Sequence, residues 1–142
     1  MALFARRSHY LEGVVALSDL RRDQAVQVLA CARIALGVVA FAAPTLPSRP
    51  WVGIDAGRAS TKTLARALGA RDLALGIGTL LAQRHRSPVR GWLEASALAD
   101  AGDVAATLAG WGSRPRLGRV AVLAAAAGGA VACSGLARRV TE

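Results

Sequence analysis

Arg66-Ala67-Leu68-Gly69-Ala70-Arg71-Asp72-Leu73-Ala74-Leu75-Gly76-Ile77-Gly78-Thr79-Leu80-Leu81-Ala82-Gln83 has the length and apolar content of a membrane span, yet it holds Arg66, Arg71 and Asp72. Charges inside a hydrophobic span are costly unless they face other protein and find partners there. Within the stretch, Arg66, Gly69, Asp72, Gly76, Thr79 and Gln83 recur at steps of three and four, one small or polar stripe along a helix. Arg71 is rotated about 100° from Asp72 around the axis, so these neighbours are expected to point different ways. The partners for these charges have to come from elsewhere in the chain. A second stretch supplies them: Ser96, Asp100, Asp103 and Thr107 form another 4-3-4 stripe.

Composition agrees with a membrane reading. The 142 residues are 54% hydrophobic with 4% aromatics, and mean hydropathy is +0.37. The apolar content is therefore mostly Ala, Leu and Val, which favours helix and one all-α domain. Lys62 is the single lysine among 18 cationic residues, and the net charge is +9. The arginines fall in clusters at the ends of apolar runs: Arg6/Arg7, Arg21/Arg22, Arg84/Arg86/Arg90, Arg114/Arg116/Arg119 and Arg138/Arg139. That pattern suits spans flanked by anionic headgroups, not a basic face for nucleic acid, and no nucleic-acid partner is expected.

Four spans are expected, at about 23–43, 63–83, 91–110 and 119–137, forming a four-helix transmembrane bundle over residues 24–142. In the first, Ala30, Arg33, Gly37 and Ala40 share a face, and a small-residue face carrying one Arg suits protein rather than lipid. Ser18 or Asp19 is placed to cap this helix a turn upstream. Pro44 to Thr63 reads as a loop, because Pro44, Pro47 and Pro50 interrupt it. Trp51, Trp92 and Trp111 are placed as interfacial anchors. Val120 to Ala137 holds eighteen residues without a charge, and a soluble bundle helix needs a polar face that this run lacks. Residues 1–23 lie outside the bundle, as an amphipathic segment on the membrane surface or a basic tail. They make a poor signal peptide, since no compact apolar core follows Arg6/Arg7.

A charge at the centre of a span costs roughly 2.5–3.5 kcal/mol, while each Leu or Ile returns about 0.5 kcal/mol. Arg71 with Asp72 thus costs about 5–7 kcal/mol, so spans two and three are marginal alone and are expected to be stable only when packed. Counting Arg33, Arg66 and Arg71 against Asp72, Asp100 and Asp103 gives three cations for three carboxylates, enough for a closed interhelical network.

Chemistry has little else to stand on. His9 and His85 lie outside the spans, so no haem or metal site using histidine can be assembled within them. Cys31 and Cys133 read as small buried hydrophobes. No nucleophile elbow is present, and no catalytic residue, cofactor or metal is expected. With the N-terminus inside, nine basic residues face the cytoplasm and six face out, a bias that puts both termini in the cytoplasm. The same modest bias leaves dual insertion and an antiparallel dimer open.

Three pieces carry a resemblance: Ala32-Arg33-Ile34-Ala35-Leu36-Gly37 running towards a proline and Trp51-Val52-Gly53; Arg66 to Gly76 with its Gly69-Ala70-Arg71-Asp72 run; and Ala97-Leu98-Ala99-Asp100-Ala101-Gly102-Asp103. Over residues 24–137 the chain resembles an uncharacterised family of small bacterial four-helix integral membrane proteins. The resemblance implies a multi-pass protein of the bacterial inner membrane. It transfers no catalytic residue, because that family has no known activity. Two functions are carried forward. One is a structural or accessory membrane subunit, alone as a homo-oligomer or in a larger complex, with Arg33, Arg66, Arg71, Asp72, Asp100 and Asp103 as a buried ion-pair network. The other is a small proton- or cation-coupled transporter or channel using Asp100 and Asp103. A soluble four-helix bundle is the third option.

Overall fold

The computed structural model describes the backbone of residues 2–110 and 116–140, and side chains within 17–110, at 118 and within 120–140. The expectations for Trp111, for the loop around Arg114 and Pro115 and for the side chains of the first sixteen residues lie outside it. The chain is all-α, with no strand among the described residues. Helix α1 runs from Ala2 to Ala42, α2 from Thr45 to Val52, α3 from Ala59 to Arg84, α4 from Arg90 to Ala109 and α5 from Arg116 to Ala137, with a 3₁₀ turn over Gly53–Gly57 after α2.

Two expected boundaries are corrected. The N-terminal segment is not separate from the first span, because α1 is continuous over 41 residues. Ser18 and Asp19 sit inside it, and no proline interrupts the run before Pro44. The expected loop from Pro44 to Thr63 is mostly helix. Pro44 precedes the first helical residue and Pro47 falls in the first turn, where the backbone N–H has no intrahelical partner anyway. Pro50 sits inside α2 and removes one backbone donor there. Ser48 Oγ donates to the Pro44 carbonyl at 2.6 Å and ties this first turn together. Gly53 then takes φ 66°, a backbone that favours glycine, and α2 ends.

The long helices pack as two antiparallel pairs, α1 with α3 and α4 with α5. In the first pair the contact follows a seven-residue repeat on both helices. Gln83 Nε2 donates to the Asp23 carbonyl at 2.9 Å. One repeat on, a Cβ added at Gly76 would stand 2.8 Å from the Ala30 carbonyl oxygen, and after another repeat a Cβ at Gly69 would stand 2.8 Å from that of Gly37. Backbones approach this closely only where side chains are absent, so the small face read in α1 and the glycines read in α3 are two halves of one contact. Where the pairs meet near the α3–α4 turn, Val26, Ala82, Val89, Leu93 and Ala137 form the apolar core. At the opposite end α2 lies against α5, with Pro50 over Gly118.

Several polar groups are buried while many large aliphatic side chains are exposed. Beside Val26, Val89 and Leu93, the buried positions include many small or polar residues: Gly69, Gly76, Ala82, Thr79, Ser96, Asp100 and Thr107, the last with no exposed surface. Large aliphatic side chains point outward, with Leu98 75% exposed, Val131 73% and Val28 66%. Two helical stretches are long and apolar enough to cross a membrane, Leu17–Ala42 and Val120–Ala137. Helices α3 and α4 fall short of that standard, and they are the two that carry Asp72, Asp100 and Asp103.

Candidate functional site: an Arg–Asp seam beside a cavity

Five of the six charged residues singled out in the sequence meet where the two helix pairs join. Arg33 on α1 is the bridge. Its Nη1 donates to Asp72 Oδ1 on α3 at 3.0 Å, and its Nη2 donates to Asp100 Oδ2 on α4 at 2.6 Å. Arg71 makes the second link. It grips Asp103 with both terminal nitrogens, Nη1 to Oδ1 at 3.1 Å and Nη2 to Oδ2 at 2.8 Å. Its Nε and Nη2 also reach Asp72 Oδ1 at 3.3 and 3.2 Å. The result is one connected run, Asp100–Arg33–Asp72–Arg71–Asp103, spanning three helices. Fork-to-carboxylate geometry of this kind fixes direction as well as distance.

The local sequence explains each placement. Asp100 needs room on α5, and Gly129 provides it: a Cβ there would stand 2.5 Å from Asp100 Oδ2. On α4, Asp103 sits nearly one turn beyond Asp100 and shares the inner stripe with Ser96 and Thr107. The stripe threonines are spent on their own helices, Thr107 Oγ1 donating to the Asp103 carbonyl and Thr79 Oγ1 to that of Leu75, each at 2.7 Å. They therefore do not compete for the carboxylates. Glu94, expected to reach water, is exposed and pairs with Arg90 at 2.8 Å.

Three sequence expectations change. Arg66 is exposed and pairs with none of the three aspartates, so it is not a member of the network. Six residues separate it from Asp72, about 9 Å along the axis, which carries it towards the end of the helix. Arg71 does pair with Asp72, although the two leave the helix about 100° apart, because the long guanidinium side chain curls back across that angle. Cys31 is exposed rather than buried, while Cys133 is buried as expected.

Without Arg66 the count is two cations, Arg33 and Arg71, to three carboxylates, Asp72, Asp100 and Asp103, a formal charge of −1. The seam borders a cavity of about 260 Å³. Arg33, Asp72, Asp100 and Asp103 form its polar wall, while Leu36 and Leu68 are among its apolar lining. Trp51 from α2 and Cys133 and Gly129 from α5 also line it, contributions that the linear pattern does not announce. Only the glycine pair Gly128-Gly129 in an otherwise Ala-rich span offered a signal. Among the described residues no group of three or more His, Cys, Asp or Glu side chains is arranged to hold a metal ion. No family model, curated protein or solved structure matches the chain.

Proposed function

We propose that this chain is a four-span integral membrane protein acting as a structural or accessory membrane subunit, with the Arg–Asp seam holding its two helix pairs together. The observation that carries the proposal is the distribution of polarity: Asp100 and the hydroxyl residues Thr79, Ser96 and Thr107 are buried, while many large aliphatic side chains face outward. In water that arrangement exposes apolar surface and buries charge, and both are unfavourable. In a bilayer, outward Leu and Val are solvated by lipid, and helix association relies on small residues and polar contacts, as between α1 and α3. On this reading α3 and α4 insert together, because Arg71 matches Asp72 and Asp103 between them, and packing against α1 then supplies Arg33 to Asp100. The likeness to the bacterial four-helix membrane family belongs to the same proposal, as do an inner-membrane location with cytoplasmic termini, a non-enzymatic role and oligomeric or complex partners.

A second reading, a proton- or cation-coupled transporter or channel, is favoured by one observation. The seam has one carboxylate more than it has cations, and its polar groups line a cavity instead of being fully packed. Carboxylates of that kind mark ion pathways within membranes.

Alkaline extraction of membranes from cells expressing the full chain tests the membrane proposal. Retention in the pellet, with release by detergent, is the expected result. A chain that stays in solution at high concentration without detergent is instead a soluble bundle. For the second reading, vesicles containing the purified protein are assayed for proton flux, and flux that disappears in Asp100→Asn and Asp103→Asn favours transport.

A further inference from the structure

We propose that Arg21, Arg22 and Arg139 form a binding site for the phosphate of an anionic phospholipid, an inference that rests on the membrane reading above. Helices α1 and α5 each pack closely on another helix but scarcely touch one another. Near the α3–α4 turn the gap between them is a groove of about 490 Å³. Its polar lining includes Arg21, Arg22 and Arg139, and its apolar lining is Leu17, Ala25 and Leu136.

Charge points to an anion. Among the described residues no carboxylate lines the groove. Arg22 is partly compensated by Asp19 at 3.3 Å, one turn away on its own helix. Among the described residues Arg21 and Arg139 have no ion pair, so the described lining of the groove is strongly positive. Guanidinium groups bind phosphate oxygens by paired hydrogen bonds, which makes a phosphate the ligand of choice.

Depth and wall chemistry point to a lipid. Val120–Ala137 is the span that ends beside the groove, and its eighteen residues rise about 27 Å, close to the thickness of the hydrocarbon layer. Arg139, two residues past that span, thus stands at headgroup level. The apolar walls suit the glycerol and upper acyl chains of a lipid better than a free anion. Basic pockets between membrane helices on the cytoplasmic side recognise anionic headgroups in this way.

The test uses the full chain purified in a neutral detergent, with the midpoint of thermal unfolding as the readout. Phosphatidylglycerol, phosphatidylcholine and inorganic phosphate are added separately to wild type and to Arg21→Gln/Arg139→Gln. At a phosphatidylglycerol concentration tenfold above its dissociation constant, the wild-type midpoint is expected to rise by about 5 °C. Phosphatidylcholine and inorganic phosphate produce no comparable rise, and the double variant loses the difference between the two lipids. Equal protection by both lipids, or an undiminished phosphatidylglycerol effect in the double variant, overturns the site. Equal protection by inorganic phosphate overturns the lipid assignment in favour of a free-phosphate site. If the double variant does not fold, Arg139→Gln alone, an exposed position beyond α5, is tested for the same loss. A chain that is soluble without detergent overturns the membrane reading itself. One that needs detergent but does not distinguish the lipids overturns only this inference.

Discussion

Replacing Arg33 by methionine removes the side chain that ties α1 to both α3 and α4, and leaves Arg71–Asp103 as the remaining ion-pair link between the helix pairs. The cost follows from what it leaves behind. Asp72 keeps Arg71 at 3.2 Å, so one of its two cations survives. Asp100 keeps none, and its side chain is only 9% exposed. Deleting one partner of a buried ion pair costs about 3–5 kcal/mol, because the remaining charge is stranded. At about 4 °C per kcal/mol for a chain of this size, the unfolding midpoint should drop by about 12–20 °C. Much of that loss belongs to the stranded carboxylate and should return when the carboxylate is removed as well. Arg33→Met/Asp100→Leu is therefore expected to be more stable than Arg33→Met alone, and a coupling of about 2 kcal/mol should appear in the double-mutant cycle. The assay is thermal unfolding in detergent, followed by circular dichroism at neutral pH. A single variant within about 1 kcal/mol of wild type, or a double variant no better than the single, refutes the seam as the element holding the pairs together.

Other consequences are more local. Gly69→Leu must push α1 away from α3, because even a Cβ at that position meets the Gly37 carbonyl oxygen at 2.8 Å. A loss of about 1–3 kcal/mol or more is expected in the same unfolding assay. Gly102→Ala meets nothing within 4 Å and should be neutral or stabilising by up to about 1 kcal/mol through helix propensity. Arg66→Gln should leave the midpoint within about 2 °C of wild type, while Arg71→Gln, which strips Asp103 of its bidentate partner, should lower it clearly. A cysteine at His85 should react with a membrane-impermeant thiol reagent only after the membrane is opened from the cytoplasmic side. A cysteine at Ile54, 98% exposed on the 3₁₀ turn, should react in intact cells. The reverse pattern would invert the assigned topology.

Much of the seam was legible because charge is scarce within apolar helical stretches and each instance there demands a partner. The spacing of Asp100 and Asp103 put both on one face of α4, and the small face around Arg33 marked the side of α1 that meets protein. Membership of Arg66 was misread for a physical reason. The 3/4 stripe shows which residues share a face, but it does not show how far along the helix the neighbouring charges lie. Arg71 failed in the opposite direction, since a helical wheel fixes where a side chain starts and not where a long flexible one ends. The prolines of α2 were read as breakers, whereas Pro47 in a first turn costs no intrahelical hydrogen bond. The α1–α5 groove, like the contributions of Trp51 and Cys133 to the cavity, depends on which helices are neighbours, and pattern along one chain does not encode that.

The central claim is that lipid, not water, covers the outward-facing aliphatic side chains. Spin labels placed singly at Leu36, Leu98 and Val131, in a background lacking Cys31 and Cys133, report this directly in reconstituted vesicles. Relaxation by oxygen, which concentrates in the hydrocarbon layer, should exceed relaxation by a water-soluble nickel chelate at all three positions. A label at exposed Arg86, in the α3–α4 turn, should show the opposite ratio. Strong relaxation by the chelate at Leu98 and Val131 would contradict the account, because those faces would then lie in water.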